Sequence, residues 1–172
     1  MHADSEYNLI WAQEQRYDAM NAGYTTRERE GDNSIRVLIV EDYEMMRQLI
    51  SNILAAEDDI EIAGEATDGL EALELVQQLR PDVVIMDLAL PRLGGIQVMQ
   101  QIRTLVPGVQ VLFVSVHDQV DLVQGAVEAG AKGYVQKQTL FKELVPAMRA
   151  VSEGRRYFSA TVARYIGHSG DE

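Results

Sequence analysis

Cysteine is absent from the 172 residues, so neither a disulfide nor a thiolate metal site can form, which fits a reducing compartment such as the cytoplasm. No apolar run approaches the roughly 20 residues that a membrane helix needs. The acidic start, with Asp4 and Glu6, lacks the basic opening of a signal peptide. Positive charge is scarce as well: 15 Lys and Arg stand against 27 Asp and Glu, for a net charge of -12. The basic residues form no stripe, and DNA binding by this chain alone is not expected. His2, His117 and His168 lie far apart without ligand spacing, which speaks against a zinc or iron centre.

What the chain does contain, from Ile35 onward, is an alternation of short apolar runs with amphipathic stretches. That rhythm predicts an α/β fold, a parallel sheet with helices on both faces. Strands are expected at 36–40, 60–65, 83–86, 109–114 and 133–136. Between the first two, Met45, Met46, Leu49, Ile50, Ile53 and Leu54 recur at helical spacing and predict one buried stripe, with both methionines as core filler. Asp68 and Glu71 have the spacing of a capping box ahead of Leu70, Leu73, Val76 and Leu79, and Pro81 ends that second helix. Further helices are expected over about 95–106, 118–129 and 139–153, the last with a kink at Pro146. Residues 1–34 read as an extension, a helix from about Ser5 to Asn21 followed by a polar linker. Ile10, Tyr17 and Tyr24 recur there at helical spacing beside Leu9, Trp11 and Met20, and this surface is expected to pack on the α/β domain or on a second copy of the chain. Residues 154–172 read as a tail with one short helix, marked by Phe158, Val162, Tyr165 and Ile166.

The chemistry gathers at the predicted strand ends. Glu41 and Asp42 close the run Val37–Val40, and Asp87 closes Val83–Met86. In an open parallel sheet, ligands bind outside the carboxyl ends of the strands, so these three carboxylates should meet at one edge and repel unless a cation sits among them. A hard cation such as Mg²⁺, held by oxygen ligands and water, suits that donor set. Lys137, after a third apolar stretch, adds a positive charge. A metal-bound carboxylate beside a lysine can serve as a nucleophile towards phosphorus. Simpler readings stand beside these: Asp42 could cap the first helix, Lys137 could be a solvated surface charge, Ser115 could satisfy a turn, and Tyr134 could be a half-buried strand aromatic.

Glu41-Asp42, Asp87 to Pro91 with Gly95 beyond, Ser115, and the run from Lys132 to Lys137 together resemble the signature of the response-regulator receiver domain of two-component signalling. The stretches 126–135 and 150–159 resemble its NarL/FixJ class more narrowly. The resemblance covers about residues 35–153 and implies a flavodoxin-like (CheY-like), doubly wound, five-stranded parallel sheet of order 2-1-3-4-5. It further implies that Asp87 accepts a phosphoryl group from a sensor histidine kinase, a phosphotransfer protein or acetyl phosphate. Asp42, Asp87 and the backbone carbonyl of Ala89 would hold Mg²⁺, with Glu41 acting through a water. Lys137 and Ser115 would contact phosphoryl oxygens, and Tyr134 would change rotamer into the space that Ser115 vacates. The output surface would be the fourth helix, fifth strand and fifth helix, meeting a downstream protein, a second copy or an output domain. Such receivers usually continue into a helix-turn-helix domain, so the receiver part of a truncated transcription regulator is a further reading. A Mg²⁺-dependent phosphohydrolase is a third, but it needs a general acid two residues after the nucleophile, where this chain has Ala89. The expectation is therefore a phosphoacceptor with at most slow self-dephosphorylation, not an enzyme.

Overall fold

The computed structural model describes residues 33–166, so the helix expected over 5–21 and its packing lie outside the described residues. The elements follow in the order β1 (Ile35–Val40), α1 (Glu44–Ala55), β2 (Ile60–Ala66), α2 (Gly69–Leu79), β3 (Val83–Met86), α3 (Gly95–Leu105), β4 (Gln110–Ser115), α4 (Val120–Glu128) and β5 (Gly133–Gln136). A 3₁₀ turn at Lys137–Thr139 leads into α5 (Leu140–Ser152), followed by β6 (Tyr157–Phe158) and α6 (Ala160–Ile166). All strand pairs are parallel, in the order β2-β1-β3-β4-β5-β6. The five expected strands and their order are present. The sixth was not expected, because two residues are too short to show a strand period.

The sheet buries two layers. On one side Ile39, Ile85 and Val114 pack with Ile50 and Leu54 of α1 and with Leu144, Met148 and Val151 of α5. On the other, Leu38, Val84 and Phe113 pack with Val76 of α2, Val98 and Ile102 of α3, and Val123 and Ala126 of α4. Strands covered on both faces read as continuous apolar runs, and Val83–Met86 is buried at all four positions.

Local signals set most boundaries. Asp68 caps α2, accepting from the backbone N–H groups of Leu70 and Glu71 at 2.9 and 3.0 Å, while the Glu71 carboxylate accepts from the Thr67 N–H at 2.8 Å. α5 continues through Pro146 to Ser152. At Gly133 a Cβ would meet the side chains of Leu112 and Val151 at 2.6 and 2.8 Å, so a glycine is what lets β5 sit this close to its neighbours.

Two readings of α1 need correction. Asp42 does not cap it, because the capping position is Tyr43 and no side chain caps there. Met45 is 69% exposed and is not core filler: it lies in the first turn, where the Tyr43 hydroxyl donates to its sulfur at 3.3 Å. Met46, one position on, does pack against the core.

The tail is also more than an appendage. β6 pairs with β5, Gly133 with Tyr157 and Tyr134 with Phe158. α6 then buries Val162 in the cluster that holds Val123 and Ala126 of α4. β5, placed by the resemblance in the output surface, has its outer edge covered by β6.

Candidate functional site

Sheet register brings the site together. Val40 and Met86 are partners across β1 and β3, so the residues after them, Glu41 and Asp87, leave the sheet at one level. Ser115 and Gln136 are partners across β4 and β5, which puts Lys137 at the same edge one residue later. The Asp87 N–H donates to the Val40 carbonyl at 3.2 Å, extending the β1–β3 ladder to the carboxylate itself. Gly95 makes room for the loop beyond: a Cβ there would stand 2.5 Å from the Asp87 carbonyl oxygen.

Lys137 Nζ lies 2.6 Å from Asp87 Oδ2 and 2.7 Å from Glu41 Oε2. The other Asp87 oxygen, Oδ1, accepts from the Ala89 N–H at 3.1 Å. Glu41, Asp42 and Asp87 each offer a carboxylate oxygen within 4.8 Å of the others. Glu41 and Asp87 are buried and Asp42 is exposed. Burial pushes the Glu41 carboxyl above its usual range, against the opposing pull of Lys137. For Lys137 burial opposes the charge, but its bonds to Asp87 and Glu41 outweigh that and raise its pKa.

Three carboxylates against one ammonium leave an excess of negative charge in a half-enclosed place. Glu41 Oε2 is buried, and the Lys137 ammonium at 2.7 Å is the charge beside it. An all-oxygen donor set with more carboxylates than cations fits a hard divalent cation. It does not fit a soft or nitrogen-preferring metal.

Ser115 is fully buried, and its Oγ accepts from the His117 N–H at 3.2 Å. Tyr134 is also fully buried, not half-buried, and its hydroxyl donates to the His117 carbonyl. The ring is thus enclosed, with its hydroxyl on the backbone of His117. Burial pushes its phenol up to about 12. It is through its backbone that His117 matters: it links Ser115 to Tyr134. Val116 is exposed beside Ser115.

A doubly wound parallel sheet with acidic groups and a lysine gathered at its carboxyl edge defines an α/β domain that carries its site at the strand ends. Residues 37–149 match the response regulator receiver domain, and the chain belongs to that family. It is 32% identical over 139 residues to the transcriptional regulatory protein DegU of Brevibacillus brevis, covering 81% of this chain and 59% of that protein. It is 36% identical over 141 residues to the transcriptional regulatory protein LiaR of Bacillus subtilis, covering 80% and 67%. Among solved structures, a LuxR-family two-component response regulator from Aurantimonas superposes with a TM-score of 0.74 at 34% identity, over 78% of this chain and 96% of that one. The signal receiver domain of NarL from Mycobacterium tuberculosis does so with 0.69 at 32% identity, over 72% and 99%. The relatives are thus response regulators of the NarL/LuxR kind. The chain spans about six tenths of the length of the DegU and GacA proteins it matches. Among the described residues, no helix is long and apolar enough to cross a membrane.

Proposed function

We propose that Asp87 accepts a phosphoryl group from a phosphohistidine of a sensor histidine kinase or phosphotransfer protein, or from acetyl phosphate, and that this modification switches a protein-contact surface. The observation that carries the reading is the Lys137 ammonium 2.6 Å from a buried aspartate at a strand end, beside Glu41 and Asp42. With acetyl phosphate the phosphorus–oxygen bond would break and acetate leave; with a phosphohistidine, a carboxylate oxygen of Asp87 forms a bond to phosphorus while the bond from phosphorus to the donor nitrogen breaks. The electron pair of that bond stays with the donor imidazole, which takes a proton from solvent.

Asp42, Asp87 and the Ala89 carbonyl would hold Mg²⁺, with Glu41 behind a water. When bound, the ion supplies screening of the charge spread over the phosphoryl oxygens. The Ala89 N–H fixes one Asp87 oxygen, and Lys137 is placed to follow a phosphoryl oxygen outward. The Ser115 hydroxyl, now accepting from His117, can turn to donate to another. With Ala89 where a phosphohydrolase needs its acid, the chain acts as an acceptor with only slow self-dephosphorylation, not as an enzyme with turnover.

The output passes through the surface of α4, α5 and the added β6 and α6, to a partner protein, a second copy or an output domain of the kind that makes the relatives transcription regulators. Working in the cytoplasm, where phosphodonor and reduced environment coincide, fits a chain without cysteine. Labelling by acetyl phosphate tests the metal assignment. Asp42→Ala should slow it by at least tenfold and raise the Mg²⁺ requirement, with Glu41→Ala having the smaller effect. Equal rates for Asp42→Ala and wild type would reject it.

A further inference from the structure

Beyond Lys137, outside the acidic site, lies a polar joint. Glu143, in the first turn of α5, gathers three hydroxyls. Thr139 and Ser159 donate to Oε2, the latter at 2.7 Å, and the Tyr157 hydroxyl donates to Oε1 at 3.2 Å. Thr139 belongs to the 3₁₀ turn that carries Lys137, whereas Tyr157 lies in β6 and Ser159 between β6 and α6. Ser159 is buried and is bound to β5 as well. Its N–H donates to the Tyr134 carbonyl at 2.9 Å, and its Oγ accepts from the Gln136 N–H at 3.3 Å. One carboxylate therefore ties the Lys137 turn to the start of α6, and one serine ties the start of α6 to the strand of Tyr134.

We infer that Glu143 and Ser159 are positioning residues that couple the acidic site to the docking of β6 and α6, which makes this strand and helix the chain's internal reader of Asp87. Lys137 is held by Asp87 and Glu41 at hydrogen-bond distance, so a change in the length or charge of the Asp87 side chain displaces its ammonium. The turn is three residues long, and its displacement reaches Thr139 directly. Glu143 then either follows or gives up hydroxyls that are partly or wholly buried, which is unfavourable enough to favour two discrete arrangements. α6 responds because its hold on the domain is small: one buried valine, flanked by the partly buried Tyr165 and Ile166. Coupling of this kind is reciprocal, so loosening α6 must act back on the site.

Amide hydrogen exchange of residues 157–166 in the full chain is the test, in wild type, Thr139→Val, Glu143→Gln and the double variant. Thr139→Val cuts the tie without touching a carboxylate of the acidic site. Each single variant should speed exchange in this segment by about fivefold or more, the lower end of usual coupling strengths. β1 and β3 amides should be unchanged, and the double variant should add little. Unchanged exchange at 157–166, or full additivity, overturns the inference. In a second arm, acetyl phosphate with Mg²⁺ is added and the label is followed by intact mass. A labelled wild type should change its exchange at 157–166, and a labelled Glu143→Gln should not. A labelled wild type without any change also overturns the inference. This arm rests on Asp87 as the acceptor: failure to label counts against that reading, while the first arm still decides the coupling.

Discussion

Lys137 pairs with both buried carboxylates of the site, Glu41 at 2.7 Å and Asp87 at 2.6 Å. Removing one member of a buried ion pair leaves the partner's charge desolvated and uncompensated, which usually costs about 3 kcal/mol or more. Lys137→Met should therefore lower stability by about that amount in urea denaturation without divalent cations, and Mg²⁺ should restore part of it. A stability equal to wild type under those conditions would mean that the three carboxylates do not repel as their spacing demands. Tyr134 offers an independent reading of the same region. Its phenol is pushed up to about 12, chiefly by burial, from an ordinary value of 10.0. A group whose folded pKa is raised contributes fully below its unfolded value, so stability should hold up to about pH 10 and fall as pH rises from there towards about 12. Difference ultraviolet titration of wild type against Tyr134→Phe should isolate one phenol that ionises late. A difference curve centred near the ordinary value would place the ring in solvent.

Between residues, the elements differ in how plainly the sequence announces them. β1 and β3 are legible because they are buried on both faces, and an apolar run closed by a carboxylate leaves few other readings. Asp68 and Glu71 announce α2 for a similar reason, since a capping side chain has a fixed spacing to the N–H groups it satisfies. Met45 misleads because two adjacent methionines cannot both face the sheet from one helix: Met46 packs on the core and Met45 points to solvent. β6 is two residues long and has no period to read. Most of the Glu143 joint is equally hidden: Thr139 is a local neighbour, but Tyr157 and Ser159 meet Glu143 only after β6 has paired with β5. The apolar marks of α6 are visible in sequence, but its docking on α4 depends on that pairing. Val162 tests the docking: it is fully buried, and Val162→Ala should cost about 1.5–2 kcal/mol in urea denaturation. The exposed Ala163, replaced by Ser, should change stability by no more than about 0.5 kcal/mol. Equal effects at the two positions would show that α6 is not part of the fold.

At the scale of the molecule, the parallel sheet does one thing that no single motif could do: its register delivers Glu41, Asp87, Ser115 and Lys137 from four separate strands to one edge. The net charge of -12 makes the surface around that edge unfavourable to polyanions, while the local cluster favours a divalent cation. Under the proposed function a phosphoryl group would arrive where Lys137 and a cation offset the repulsion, at Asp87, which meets Lys137 through one carboxylate oxygen and the Ala89 N–H through the other. The most direct measurement is intact mass after incubation with acetyl phosphate and Mg²⁺, for wild type and Asp87→Asn side by side. The account predicts one added phosphoryl group on wild type and none on Asp87→Asn; equal labelling of the two would contradict it.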